Sequence, residues 1–243
     1  MDLVIDIGNT LVKMAVFQGD ILIKKKISMR LDFLKNLEEL EQKYQKPVNI
    51  ILSSVSKTPS KWIQKLEEAS RLFILDQQLP QVFINLYATP NTLGNDRIAL
   101  VSAASKHFPA KNVLVIDAGT CITYDFKNST NEYLGGAISP GLEMRYKAMH
   151  NFTENLPFLD REEEITLIGN STNSCLHSGV IYGITTEIDG IIAAYQGQYE
   201  DLTIILTGGD AQFLCKRLKN SIFANSNFLL EGLNYILEFN KSQ

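Results

Sequence analysis

Two short stretches of this chain have the residue types needed to hold a metal-bound phosphate. Near the start the sequence reads Val4-Ile5-Asp6-Ile7-Gly8-Asn9-Thr10, with Lys13 three residues on. In the second half it reads Val115-Ile116-Asp117-Ala118-Gly119-Thr120. Each is an apolar run ending in a carboxylate, then a glycine, then a threonine. A buried strand that carries an Asp to its end, followed by a tight glycine turn, lets backbone N–H groups approach a phosphate. The Thr hydroxyl adds a donor, and the Asp holds a cation directly or through water. One copy alone would pass for an ordinary turn. Two copies 111 residues apart, each opening a similar-sized half, point to phosphate chemistry. Lys13 either lies exposed on the next strand or returns positive charge to the turn, and the second copy favours the latter. Asp117 calls for a cation or for backbone donors, because a buried carboxylate without either is costly.

A third set is Gly94-Asn95-Asp96-Arg97. Read by itself, Asp96 is a first-turn acid favoured by the helix dipole, worth about 0.3–1 kcal/mol. Arg97 either makes a surface ion pair or binds a substrate carboxylate through its planar fork. Gly94 leaves room for a ligand to come close. Thr207-Gly208-Gly209 suits either the flank of a flat nucleotide base or a turn into a helix. His107, His150 and His177 stand at unrelated spacings, unlike a metal set. Neither a P-loop nor a dinucleotide glycine motif occurs, and there is no G-x-S-x-G nucleophile elbow.

These residues need particular elements to position them. Leu3 to Asp6, Leu11 to Phe17 and Ile21 to Ile27 read as three strands, with Gly19-Asp20 as a turn. Leu31, Leu34, Leu37, Leu40 and Tyr44 recur at helical spacing, and that helix ends before Pro47. A buried strand, Val48 to Val55, precedes a helix from Pro59, capped by Thr58, to about Ser70, and a strand from Leu72 to Leu75. Residues 81–93 read as a loop leading to a helix from Asp96 to Phe108. Pro109 and Lys111-Asn112 then mark the boundary between residues 1–110 and 111–243. Val113 to Asp117, Cys121 to Phe126 and Glu132 to Ile138 restart the strand pattern. A helix from Leu142 to Asn151, a loop, a long helix from Thr172 to Tyr195 and a strand from Leu202 to Leu206 follow, and two more helices close the chain. Three strands followed by alternating helix and strand, written twice, is an α/β plan resembling a duplicated ribonuclease-H-like unit.

Composition narrows the function classes. At 45% hydrophobic and 21% charged, the chain is expected to fold as a globular protein. A net charge of −4 offers no basic field for nucleic acid or an anionic membrane, and no apolar run is long enough to span a bilayer. Cys121, Cys175 and Cys215 are widely spaced, which suits free thiols in a reducing cytoplasm. No signal peptide is expected from the opening residues.

With these residues assembled, the sequence resembles the type III pantothenate kinases, of the acetate kinase, Hsp70 and actin-like superfamily. The resemblance rests on Asp6-x-Gly-Asn-Thr, Gly94-x-Asp96-Arg97, Asp117-x-Gly-Thr, Gly135-Gly136-Ala-Ile-x-Pro-Gly141, Thr172 with Ser178-Gly179, Thr207-Gly208-Gly209 and Leu230-Glu231-Gly232-Leu233, in that order. It implies two ribonuclease-H-like (actin-like ATPase) domains, with ATP and pantothenate in a cleft between them, in a cytoplasmic homodimer. The implied reaction passes the ATP γ-phosphoryl group to the primary hydroxyl of pantothenate, the first step towards coenzyme A. The resemblance places ATP binding on Asp6, Ile7, Gly8, Asn9, Thr10, Leu11, Val12, Lys13 and Thr120. It places the catalytic base on Asp96, and pantothenate contacts on Tyr87, Gly94, Asn95, Asp96, Arg97 and Thr172. Asp6 is implied to hold Mg²⁺ through water, and Asp117 a monovalent cation, K⁺ or NH₄⁺. Asn95 stands where the family often has Ala, and Cys121-Ile122 where small residues are usual. The alternatives are a kinase for another small alcohol, or a non-catalytic regulatory relative that keeps the fold.

Overall fold

The computed structural model describes residues 1–44 and 46–242. In chain order its strands are β1 (Asp2–Ile7), β2 (Leu11–Gln18), β3 (Ile21–Met29), β4 (Asn49–Ser54), β5 (Arg71–Ile74), β6 (Ile84–Asn85), β7 (Val113–Ala118), β8 (Cys121–Lys127), β9 (Glu132–Pro140), β10 (Thr203–Thr207) and β11 (Phe223–Ala224). Its helices are α1 (Phe33–Tyr44), α2 (Ser60–Ala69), α3 (Asn95–His107), α4 (Leu142–Asn151), α5 (Thr172–Gln196), α6 (Ala211–Cys215) and α7 (Phe228–Lys241). The residues group into two units. One is Met1–Pro109, Asn131–Tyr133 and Asn227–Gln243; the other is Ala110–Thr130 and Leu134–Ser226. A division at 110/111 alone would have given α7 to the second half. It groups with the first because it packs along α3 and against β1 and β4.

The first unit is built on a sheet of order β3-β2-β1-β4-β5. β1 runs antiparallel to β2 and parallel to β4. Because side chains alternate across a strand, Leu3, Ile5 and Ile7 share one face. They meet Phe33, Leu37 and Leu40 of α1 and Trp62 and Leu66 of α2 in one core. The opposite face carries Asp2, Val4 and Asp6, and α7 lies against it while α3 lies against β4. Helices on both faces bury β1 along its whole length. Asp6 therefore points to the side of the sheet that α3 covers.

The second unit repeats the plan. Its strands run in the order β11-β10-β7-β8-β9, so β7 takes the place of β1, β8 of β2, β9 of β3, β10 of β4 and β11 of β5. β7 is antiparallel to β8 and parallel to β10, as β1 is to β2 and β4. Leu114, Ile116 and Ala118 pack against Val180, Ile181, Ile184 and Ile188 of α5. Asp117 thus projects from the other face, matching Asp6. Ser171 caps α5 by accepting from the Ser174 N–H, worth about 1 kcal/mol.

Three expectations shift. Pro59, with φ −59° and ψ 134°, holds the cap position of α2, so Thr58 lies one residue too early and no side chain caps that helix. Residues 81–93 carry β6 and a short 3-10 turn at Pro90–Thr92. β6 exists because Ile84 and Asn85 pair with Glu132 and Tyr133, which are distant in sequence. β11, two residues long and paired to β10, falls where no strand was expected. Among the described residues no helix is long and apolar enough to cross a membrane.

Candidate active site

In the first unit, β1 delivers Asp6 to its C-terminal end, where it is only 4% exposed. Its register partners are Lys13 on β2 and Ser53 on β4. The Lys13 ammonium lies 3.4 Å from an Asp6 carboxylate oxygen, so the cation does return to the turn. Burial pushes the Asp6 carboxyl above its ordinary range; Lys13 works against that shift, and the charge of Asp96 adds to it. Between the strands, the Gly8 N–H donates to the Leu11 carbonyl at 2.9 Å, which closes a tight turn. Asn9 and Thr10 stand exposed on that turn. Ile7 and Val12 are fully buried in the strands that flank the turn.

α3 begins beside this turn. Gly94 holds its cap position and Asp96 lies in its first turn, where an Asp6–Asp96 repulsion is felt. Asp96 Oδ1 accepts from the Arg97 backbone N–H at 2.9 Å. A Cβ on residue 94 would sit 2.4 Å from that same oxygen, so glycine is the residue that leaves the carboxylate its place. Asn95 turns its amide inward, donating to the carbonyls of Leu75 and Ser54. Arg97 is 5% exposed and its guanidinium lies 5.4 Å from the Tyr87 ring centre and 5.9 Å from that of Tyr133. The two rings stack at 5.9 Å, so the guanidinium is held by planar faces that suit it.

In the second unit, Asp117 pairs in register with Thr207 on β10 and Thr123 on β8. The Lys13 position of the first unit is therefore a threonine here, and the Asp117 turn carries no lysine in that place. The Gly119 N–H donates to the Cys121 carbonyl at 3.0 Å, closing the turn that exposes Thr120. Gly141 donates to the Thr120 carbonyl at 3.1 Å. Gly208 has φ +98°, and a Cβ there would come within 2.4 Å of Asp117 Oδ1. The Thr207-Gly208-Gly209 turn leads from β10 into α6 and brings Gly208 against the Asp117 carboxylate. Thr172 is the first residue of α5 and lines an open cavity of about 730 Å³ with Met149, Leu156, Gly169 and Cys175.

Two participants escaped the sequence reading. Arg30 donates to the Gly8 carbonyl at 3.3 Å, to Ser56 Oγ and to the Lys57 carbonyl at 3.3 Å, bracing the first turn from behind. Tyr133 sets its ring beside the Arg97 guanidinium. Arg30 lies beyond β3 and Tyr133 inside β9, and neither has a local pattern that sets it apart.

Among the described residues no three His, Cys, Asp or Glu side chains converge on a common metal position. A divalent ion would therefore draw most of its ligands from phosphate and water, as Mg²⁺ commonly does. Asp6 fits that use, since a buried carboxylate with one lysine and an acidic neighbour gains from a second cation. Asp117 fits a cation too, in a niche that glycines keep open.

The repeated sheet order, with an acidic strand end and a glycine turn in each unit, defines a duplicated α/β protein of the actin-like ATPase class. Among solved structures, a chain described as a conserved Baf family transcriptional activator from Campylobacter jejuni shares this fold, with a TM-score of 0.68 at 23% identity, covering 99% of this chain and 100% of that one. The family model for type III pantothenate kinase matches residues 2–194. The type III pantothenate kinase of Christiangramia forsetii is 56% identical over 243 residues, covering both chains fully. That of Flavobacterium psychrophilum is 46% identical over 241 residues, covering 99% of this chain and 100% of that one. The chain belongs to the type III pantothenate kinase family.

Proposed function

We propose that this chain transfers the γ-phosphoryl group of ATP to the primary hydroxyl of pantothenate, giving 4'-phosphopantothenate and ADP. The observation that carries the reading is the start of α3. There a carboxylate, Asp96, stands next to an arginine clamped by aromatic rings, on the side of the sheet where Asp6 and Lys13 form a phosphate turn.

Phosphoryl transfer asks the protein mainly for positioning and charge neutralisation. The Gly8–Thr10 turn offers N–H and hydroxyl donors to the nucleotide, and Lys13 meets the phosphates with its ammonium; for Thr120 the family resemblance alone supports a nucleotide role. Asp6 would hold Mg²⁺ through water, and the ion would supply charge neutralisation to the triphosphate. Asp117 would hold a monovalent cation, which would add positive charge on the turn where Thr123 takes the lysine's position. Arg97 pairs with the pantothenate carboxylate, and Tyr87 and the backbone of Gly94 and Asn95 line the acceptor; for Thr172 the family resemblance alone supports a role in acceptor binding. Asp96 takes the proton of the pantothenate hydroxyl. That oxygen bonds to the γ-phosphorus as the bond from phosphorus to the β–γ bridging oxygen breaks, and ADP leaves.

The enzyme is inferred to work in the cytoplasm as a homodimer. Exposed apolar side chains between α4 and α5, Phe152, Leu167 and Ile168, support self-association. A light-scattering mass of one chain at assay concentration would refute it. The reaction is tested by a coupled ADP assay on wild type and Asp96→Asn, with pantothenate and simple sugars as acceptors. The expected loss on substitution is about 10²–10⁴-fold, with pantothenate the preferred acceptor. Near-wild-type turnover in a folded Asp96→Asn variant would remove Asp96 from the base role, and turnover on sugars alone would redirect the substrate.

A further inference from the structure

The first residue of α3 makes contacts that acceptor binding does not call for. The Asn95 amide nitrogen lies 2.7 Å from the Leu75 carbonyl and 3.3 Å from the Ser54 carbonyl. Both partners are carbonyl oxygens, so the NH₂ group is the one that faces them. Ser54 is the last residue of β4, and Leu75 directly follows β5. A single side chain thus ties the ends of two parallel strands to the start of a helix. The next residue is Asp96, on the side of the sheet where Asp6 also projects.

Those two carboxylates repel one another, and the repulsion is felt at Asp6. A helix that starts at Asn95 has no side-chain cap to hold its first turn, since Gly94 occupies that position. Without a tether the first turn is free to swing outward and relieve the repulsion, carrying Asp96 away. We propose that Asn95 is a positioning residue: its two hydrogen bonds to the ends of β4 and β5 hold Asp96 close to the Asp6 turn, against the mutual repulsion of the two acids. This rests on the reading of Asp96 as the base.

Steady-state kinetics on Asn95→Ala, Asn95→Ser and Asn95→Asp test it, each also in the Asp96→Asn background. Ala removes both bonds, Ser keeps a single shorter donor, and Asp sets a carboxylate against two carbonyl oxygens. The expected order of kcat is wild type, Ser, Ala, Asp, with the Ala variant down about tenfold, since small misplacement of a catalytic group is expensive. KM for ATP is expected to stay within about twofold, because the phosphate turn is not touched. In the Asp96→Asn background the Asn95 substitutions are expected to lower residual turnover no further, as for residues that act through one another. Unchanged kcat in the Ala and Ser variants, or the same proportional loss with and without Asp96, would overturn the proposal. Should Ala and Asp fail to fold, the Ser variant and its double carry the same comparison. Failure of the underlying reading looks different, because there Asp96→Asn alone keeps its turnover.

Discussion

Asp6 and Lys13 are register partners on adjacent antiparallel strands, and their charged groups lie 3.4 Å apart at the mouth of the Gly8 turn. The equivalent neighbour of Asp117 is Thr123. The two acids therefore differ in their register neighbour, a lysine for Asp6 and a threonine for Asp117.

Removing the Lys13 ammonium while keeping its length, as Lys13→Met, takes away that internal cation. kcat/KM for ATP is expected to fall about 10²-fold, on the scale of losing one preorganised electrostatic contact to the transferring group. Steady-state kinetics at varied ATP, with melting temperature as a control for folding, check this. KM for pantothenate should move far less.

Gly94→Ala separates catalysis from stability. The backbone at residue 94 has φ −64° and ψ 140°, which alanine adopts freely. Its Cβ would nevertheless fall 2.4 Å from Asp96 Oδ1. The carboxylate must rotate away, so kcat is expected to drop by about tenfold or more. The change in unfolding free energy should stay below about 1 kcal/mol, read by denaturant melts.

The guanidinium of Arg97 is held beside the Tyr87 and Tyr133 rings. Lysine keeps the charge and loses the planar fork. Arg97→Lys is expected to raise KM for pantothenate about tenfold or more and leave KM for ATP unchanged. A matching rise in both would place Arg97 at the nucleotide instead.

Much of this was legible in the sequence, for a physical reason. Val4 to Asp6 and Val115 to Asp117 are continuous apolar runs with a single acid, a pattern set by strands covered on both faces. Order and face could be inferred from them, and the repeat of the β3-β2-β1-β4-β5 order in the second unit agrees. What stayed hidden depends on partners distant in the chain. β6 is a strand only through Glu132 and Tyr133. Arg30 becomes a brace only because the chain brings it to the Gly8 carbonyl. Asn95, adjacent to the expected base, donates its amide to the ends of two strands that are remote in sequence. The grouping of α7 with the first unit likewise rests on packing, not on any local signal.

One such distant link is pH-sensitive. Asp2 is buried, and Lys241 of α7 reaches it at 2.9 Å while Asn49 donates to it at 2.8 Å. Burial pulls its carboxyl upward, but the bonds from Asn49 and Lys241 outweigh that and hold it below the usual aspartate range. A folded pKa below the unfolded one gives stability that is full above the unfolded value and is lost as pH falls through the folded one. Asp2→Asn is expected to cost about 1 kcal/mol at neutral pH, a modest figure because the lysine is partly exposed and screened. The gap between variant and wild type should close as pH drops below the normal aspartate range. Denaturant melts across that range check it, and a gap that holds constant would contradict it.

The most direct measurement is ³¹P NMR of the wild-type protein with ATP, Mg²⁺ and pantothenate. A phosphomonoester signal of 4'-phosphopantothenate is expected to grow in step with ADP, one for one, and to be absent with Asp96→Asn over the same interval. ADP and free phosphate appearing at the same rate without pantothenate, or no turnover when all three are present, would contradict the account.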